Sequence, residues 1–86
     1  MTKRTTKADI YNVQDLINKA LTTEQYSHRV SVEWAYGQPR AYLHPAGLPH
    51  NTYEELSPRL PTGEMYRWLW AYYKGLCLGL LIPEQD

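Results

Sequence analysis

The segment at residues 62–83 constrains the fold of this chain more than any other, because as a helix it is apolar around most of its circumference. It holds five of the eleven aromatic residues of the chain within eight positions. At about 100° per residue, its apolar side chains fall into two adjacent stripes that together span about 220°. The first stripe contains Met65, Trp68, Leu69, Tyr72, Leu76, Gly79 and Leu80, and the second contains Tyr66, Trp70, Tyr73, Cys77 and Leu81.

A helix that covers one side of a sheet needs an apolar arc of only about 100–140°. We therefore expect the first stripe to pack on a sheet, while the second stripe needs another surface. That surface is either the N-terminal helix of the same chain or a second protein chain, and tyrosine and tryptophan are enriched in interfaces between proteins. A third reading is a base-stacking strip bordered by Arg67 and Lys74.

The N-terminal part of the chain predicts an amphipathic helix over residues 8–21. Thr6 offers an N-cap, and Asp9 three residues later completes a capping box. Apolar residues then recur at spacings of three and four, which gives one buried stripe. Residues 1–7 are basic and polar, and we expect a flexible tail there that precedes one compact domain over residues 8–86. The predicted stripe contains Ile10, Val13, Ile17, Ala20 and Leu21.

Residues 28–36 alternate between apolar and polar side chains, which predicts a strand with one buried face. Gly37 and Gln38 suit a tight turn, and residues 40–44 form the returning strand. Pro39 is then tolerated at the turn, where no ladder hydrogen bond is lost. The register that brings apolar residues together places Trp34 opposite Ala41 and Val32 opposite Leu43.

The remaining segments complete a prediction of an α+β fold, with both helices on one face of a small antiparallel sheet. Residues 45–52 are rich in proline and glycine and read as a loop. Residues 52–57 fit either a helical turn or a short third strand. The strand is favoured because an isolated two-stranded hairpin is only marginally stable. Thr62 is a candidate N-cap for the C-terminal helix, with Glu64 in its first turn.

The cysteine count and the length of the apolar runs bear on the location of the protein. Cys77 is the only cysteine, which excludes an internal disulfide framework and fits a reducing compartment. The apolar run at residues 76–82 is much shorter than the roughly 20 residues that span a bilayer. We expect a cytoplasmic protein without a membrane partner.

No pattern in the sequence indicates catalysis, a cofactor or a metal. His28, His44 and His50 lack the spacing of metal ligands on a helix. Cys77 lies among leucines, which argues for an inert buried thiol. Glu54 and Glu55 are adjacent and would diverge on a strand, so they form no acid and base pair. We expect a protein that is not an enzyme.

The leading functional hypothesis is a small protein-binding domain that uses the second stripe, with another protein or with itself as a homodimer. The alternative is an accessory protein that binds nucleic acid through the basic tail and the hairpin. Nine basic and nine acidic residues give a net charge of zero, so no global field favours the alternative. Its candidate residues are Lys3, Arg4, Lys7, Arg29, Arg40 and Tyr42.

Overall fold

The fold consists of two helices and a three-stranded antiparallel sheet. The structure is a computed structural model and describes residues 4–26, 28–44 and 53–82. The strand order is β1-β2-β3. The predicted α+β class and the predicted third strand are confirmed, whereas the predicted loop at residues 45–52 lies outside the described residues. The elements in chain order are α1 (Lys7–Thr23), β1 (Arg29–Ala35), β2 (Gln38–His44), β3 (Glu54–Glu55) and α2 (Thr62–Leu80).

The N-terminus of α1 is held by the predicted capping box. The backbone N–H of Asp9 donates to the Thr6 hydroxyl over 3.3 Å, and the Thr6 N–H donates to the Asp9 carboxylate over 2.9 Å. The helix is slightly longer than the predicted span of residues 8–21. Lys7 therefore belongs to the helix and not to a tail. The predicted stripe is buried throughout, at Ile10, Val13, Ile17, Ala20 and Leu21.

The hairpin turn lies one residue earlier than the sequence predicted. Its two central residues are Tyr36 and Gly37, with φ angles of 54° and 75°. Positive φ at both positions is the signature of a type I′ turn, whose twist matches that of the flanking strands. Gln38 consequently opens β2 instead of forming part of the turn.

This turn shifts the strand register by two residues, so the predicted pairing was wrong. Because the shift is even, every side chain keeps its predicted face. Pro39 also lies inside β2, and its side chain is buried opposite Trp34. The apolar pairs on the inner face are Val30 with Leu43, Val32 with Ala41, and Trp34 with Pro39.

The outer edge of β1 is closed by side chains of α1. The Val30 N–H donates to the Asn18 side-chain oxygen over 2.8 Å, and the Asn18 amide nitrogen donates to the Val30 carbonyl over 2.9 Å. One turn earlier, Gln14 accepts from the Val32 N–H over 3.0 Å. Two amides spaced four residues apart on one helix face thus replace a neighbouring strand.

The edge of β2 that faces away from β1 is paired with β3 and with the residues that follow β3. The Leu56 N–H donates to the Ala41 carbonyl over 2.9 Å, and the Leu60 N–H donates to the Pro39 carbonyl over 3.1 Å. The Ala41 N–H donates to the hydroxyl of Ser57, which is itself buried. The segment that leads to α2 therefore completes the sheet.

Helix α2 packs beside α1 on the inner face of the sheet, as predicted. Its N-cap is Pro61, whose carbonyl accepts from the Met65 N–H, so the prediction of a Thr62 cap was wrong. Among the described residues, neither helix has both the length and the apolar character needed to cross a membrane. The fully buried line of α2 contains every fourth residue, Met65, Leu69, Tyr73 and Cys77.

We predict that Asn18→Ala destabilises the fold by about 2–3 kcal/mol, because the buried N–H and carbonyl of Val30 both lose their partner. Urea denaturation followed by circular dichroism measures the change. Asn12→Ala is the matched control, since Asn12 is exposed on the same helix, and we expect it to change stability by less than about 0.5 kcal/mol. Equal effects of the two substitutions would show that the amide contributes nothing to the closed edge.

We predict that Tyr36→Asn raises the free energy of unfolding by about 0.5–1 kcal/mol, because asparagine tolerates positive φ in a type I′ turn better than tyrosine does. The Tyr36 side chain is 99% exposed, so few contacts are lost. Tyr36→Val should have the opposite effect, since a β-branched residue is strained at positive φ. Thermal unfolding of both variants checks the order, and a destabilising Tyr36→Asn would contradict it.

Candidate functional site

The predicted second stripe is divided by the fold. Tyr73 and Cys77 are each only 2% exposed, so they form part of the core between α2 and its neighbours. The expectation that the whole stripe is open to a partner is corrected by this burial. The reason is that α1 lies beside α2 and supplies the second surface that the apolar arc requires. Tyr73 and Cys77 are therefore covered by other parts of the same chain.

Tyr66 and Trp70 remain partly accessible in a groove between the helices. The groove has a volume of 430 Å³, and its α1 wall is formed by Asp9, Asn12, Val13 and Leu16. The two α2 rings meet edge to face with their centroids 6.2 Å apart, and Trp70 meets the buried Tyr73 ring in the same way at 5.6 Å. The buried Tyr73 ring thus supports Trp70, which in turn supports Tyr66. Both Tyr66 and Trp70 are half-buried and line the groove.

Most of the first stripe is buried or half-buried, whereas Gly79 is exposed, contrary to its predicted place in the stripe. Trp68 and Tyr72 are half-buried and stack with their centroids 5.5 Å apart and their planes at 15°. Burial raises the pKa of the Tyr72 phenol above its ordinary value of 10.0. Two stacked aromatic rings therefore line this flank of α2.

The outer face of α2 is unusually apolar in its C-terminal half. We use the name "outer face" for the exposed residues Ala71, Gly75, Leu78 and Gly79 together with Leu81 at the C-cap. The exposed fractions are 79% for Leu78 and 89% for Leu81. Lys74 is the only charged residue of the chain between positions 71 and 82. Water-facing helix surfaces usually carry several charges, so this face differs from an ordinary solvated one.

The glycines of the outer face are not required by the packing of the subunit. A Cβ atom added to Gly75 or Gly79 would meet no atom of the described residues within 4 Å. Glycine costs about 1 kcal/mol of helix stability relative to alanine at such positions. Leu81 adopts the left-handed conformation, with φ of 58°, that glycine favours after a helix. No contact among the described residues therefore explains glycine at positions 75 and 79 or leucine at position 81.

The structure divides the described candidate nucleic-acid residues between two surfaces. Arg4 and Lys7 lie near α1, whereas Arg29, Arg40 and Tyr42 share the face of the sheet that points away from the helices. Lys7 lies over the Trp34 ring, 4.8 Å from its centroid and at the inner face of the sheet. The side chain of Arg29 donates to the carbonyls of Tyr26 and His28. Arg4 lies beside the helix groove, and Lys3 is outside the described residues.

Arg40 and Tyr42 lie on the opposite, open face of the sheet. Arg40 forms a salt bridge of 3.0 Å with Glu55, and Tyr42 packs edge to face on Tyr53 at 5.0 Å. Glu33 is directly opposite Arg40 in the sheet and adds a negative charge to this face. Engaged cations beside carboxylates make a poor surface for phosphate groups.

One pair on the open face has the atoms of a nucleophile and a base. The Ser31 hydroxyl oxygen and His44 Nε2 are 2.7 Å apart. Catalytic pairs of this type need a third group that orients the imidazole and donors that stabilise an oxyanion. Within residues 28–44 and 53–82 no carboxylate forms a hydrogen bond with His44. The pair therefore lacks the constellation for acyl transfer, and the absence of enzymatic activity stays a prediction.

The structure shows no metal site in the part of the chain that it describes. No three histidine, cysteine, aspartate or glutamate side chains lie close enough there to hold an ion. His28 and His44 contact tyrosine rings instead, whereas His50 is outside the described residues.

Comparison with known proteins adds no information about function. No protein-family model matches the chain, and neither a curated protein nor a solved structure is significantly similar to it. Any functional conclusion must therefore come from the surfaces themselves.

We predict that the Cys77 thiol reacts with Ellman's reagent only when the protein unfolds, because it is enclosed in the core. Labelling in native buffer should be slow and should accelerate steeply in urea. A Cys77→Ala/Leu78→Cys variant moves the thiol one position to the exposed outer face, and we expect it to react at once in dilute protein. Rapid labelling of the wild-type thiol in native buffer would contradict the enclosure of the stripe by α1.

Proposed function

We propose that this protein acts by binding protein chains through the outer face of α2, and that its partner is a second copy of itself. The observation that carries the proposal is the exposure of Leu78 and Leu81, at 79% and 89%, on a helix face with a single charge. Exposed apolar side chains on a face with so little charge are stabilised when another apolar surface covers them. The sequence hypothesis of a protein-binding helix is thus retained, but its surface moves from the second stripe to the outer face.

Self-association is favoured by the shape of the outer face. Ala71, Gly75 and Gly79 form a row of small residues with a spacing of four, and Leu78 projects beside this row. Around a twofold axis, the leucine of one copy meets the shallow row of the other, so the surface is complementary to itself. Small residues allow two helix backbones to approach closely.

The overall charge also permits two copies to associate. Basic and acidic residues balance to a net charge of zero, so no long-range repulsion separates the copies. Tyr66 and Trp70 in the helix groove lie on a different side of α2 and remain available to a further protein. The cytoplasmic location stays a prediction that rests on the single reduced cysteine.

We predict that Gly75→Ala/Gly79→Ala has opposite effects on folding and on association. Alanine should raise the free energy of unfolding of the subunit by about 1–2 kcal/mol, because both sites are exposed and open. The added methyl groups should weaken the dimer by about tenfold or more, because they separate the two backbones. Sedimentation equilibrium measures the dimer constant, and urea denaturation of the dilute protein measures the stability.

Two further variants make this experiment decisive. Gly63→Ala is the matched control, since it changes a glycine in the first turn of the same helix and should leave association unchanged. Leu78→Glu should abolish association without loss of folding, because the side chain is exposed. A wild-type protein that stays monomeric at high micromolar concentration would refute the proposal of a homodimer, as would an unaltered dimer in Leu78→Glu.

A further inference from the structure

The open face of the sheet contains a cavity that plays no part in the proposed dimer. It has a volume of 370 Å³, which is within the range of small-ligand sites. The antiparallel pairing of β2 with β1 on one side and with β3 on the other brings its lining together from three separate segments. Its lining residues within the described segments are Ser31, Glu33, Tyr42, His44 and Tyr53.

Aromatic rings form one side of this cavity. Tyr42 and Tyr53 meet at an interplanar angle of 82°, and the His44 ring lies 6.0 Å from that of Tyr53. Rings at such angles present π faces in more than one direction. The face of a tyrosine ring attracts a cation, and walls of aromatic rings are a common means of holding ammonium groups.

Glu33 supplies the charge of the cavity. Its side chain is exposed and forms no hydrogen bond or ion pair with any residue in the described segments. The cation that lies opposite Glu33 in the sheet, Arg40, is already engaged by Glu55 at 3.0 Å. Among the described lining residues, Glu33 is therefore the carboxylate without an ion-pair partner.

The hydroxyl of Ser31 adds a polar acceptor. When neutral His44 accepts through Nε2, Ser31 donates its proton over 2.7 Å. The lone pairs of the Ser31 oxygen then remain available to a donor in the cavity. A primary ammonium group, which has three donors and no acceptor, matches this arrangement of a hydroxyl oxygen and a carboxylate.

We propose that this cavity binds an organic ammonium group, with the cation held between Glu33 and the rings of Tyr42 and Tyr53. Anionic ligands are disfavoured because a phosphate group would meet the free carboxylate of Glu33. A nucleobase alone could stack on the tyrosines, and it is therefore the competing outcome in the experiment. The ammonium group has two sources, and separate probes distinguish them. The primary ammonium of a peptide lysine can also donate to Ser31, whereas a free quaternary ammonium ion has no N–H donor and is held by the rings and the Glu33 carboxylate alone.

The test is a titration of the full chain, followed by the backbone amide signals of Ser31, Glu33 and Tyr42 in two-dimensional NMR spectra. The probes are choline, N-acetyl-lysine methylamide, guanosine monophosphate and the tert-butyl isostere of choline, in which a neutral carbon replaces the nitrogen. Ionic strength is kept constant. We expect at least one of the two cations to bind about fivefold or more tightly than the neutral isostere, since charge and not only size is recognised.

Matched substitutions assign the binding to this cavity. Glu33→Gln should weaken binding of the cation by about fivefold, whereas Glu54→Gln, which removes an exposed carboxylate from the same sheet outside the cavity, should not. Tyr53→Leu should also weaken binding, and Tyr11→Leu on the exposed side of α1 should not. Spectra that are unchanged away from the substitution verify that each variant is folded.

Several results would overturn the proposal. Equal binding of choline and its neutral isostere would show an apolar site without recognition of charge. Stronger binding of guanosine monophosphate than of either cation would assign the cavity to nucleobases. Absence of binding by both cations, or equal loss in Glu33→Gln and Glu54→Gln, would remove the site. None of these results affects the dimer proposal, which concerns the opposite side of the molecule.

Discussion

Burial of α2 between the sheet and α1 is the constraint on which the rest of this structure depends. One line of side chains with a spacing of four, from Met65 to Cys77, is fully enclosed, and half-buried aromatic residues flank it on both sides. A helix with so wide an apolar arc cannot be covered by a sheet alone. The second helix must therefore lie on the same sheet face, which leaves the opposite face of the sheet and the outer face of α2 open to other molecules.

The hydrogen bonds that close the two edges of the sheet determine which kind of surface stays exposed. The amides of Gln14 and Asn18 occupy the edge of β1, and the segment from Leu56 to Leu60 occupies the edge of β2 beyond the short β3. Free strand edges recruit other strands indiscriminately. Because backbone groups at both edges have partners within the chain, the surfaces that remain in its described part are formed by side chains. They include the aromatic cavity around Glu33, the apolar outer face of α2 and the groove at Tyr66 and Trp70.

The sequence predicted best those features that depend on a pattern within one short segment. The capping box at Thr6, the stripe of α1 and the alternation of the hairpin were all predicted from spacing, and the structure contains them. The register was wrong by two residues because Tyr36, a residue that rarely adopts positive φ, occupies the turn. The cavity around Glu33 was not predicted, because Tyr53 lies in a segment distant in sequence. No local pattern shows that β3 brings this segment beside β2.

The sequence by itself determined the elements, their buried faces and the need of α2 for more than one covering surface, since these follow from periodicity along a single segment. Only the tertiary structure decided what provides that cover. The choice between α1 and a partner chain for Tyr73 and Cys77 depends on how closely two helices distant in sequence approach on the sheet. No local pattern encodes that distance, because it results from the packing of all the core side chains at once.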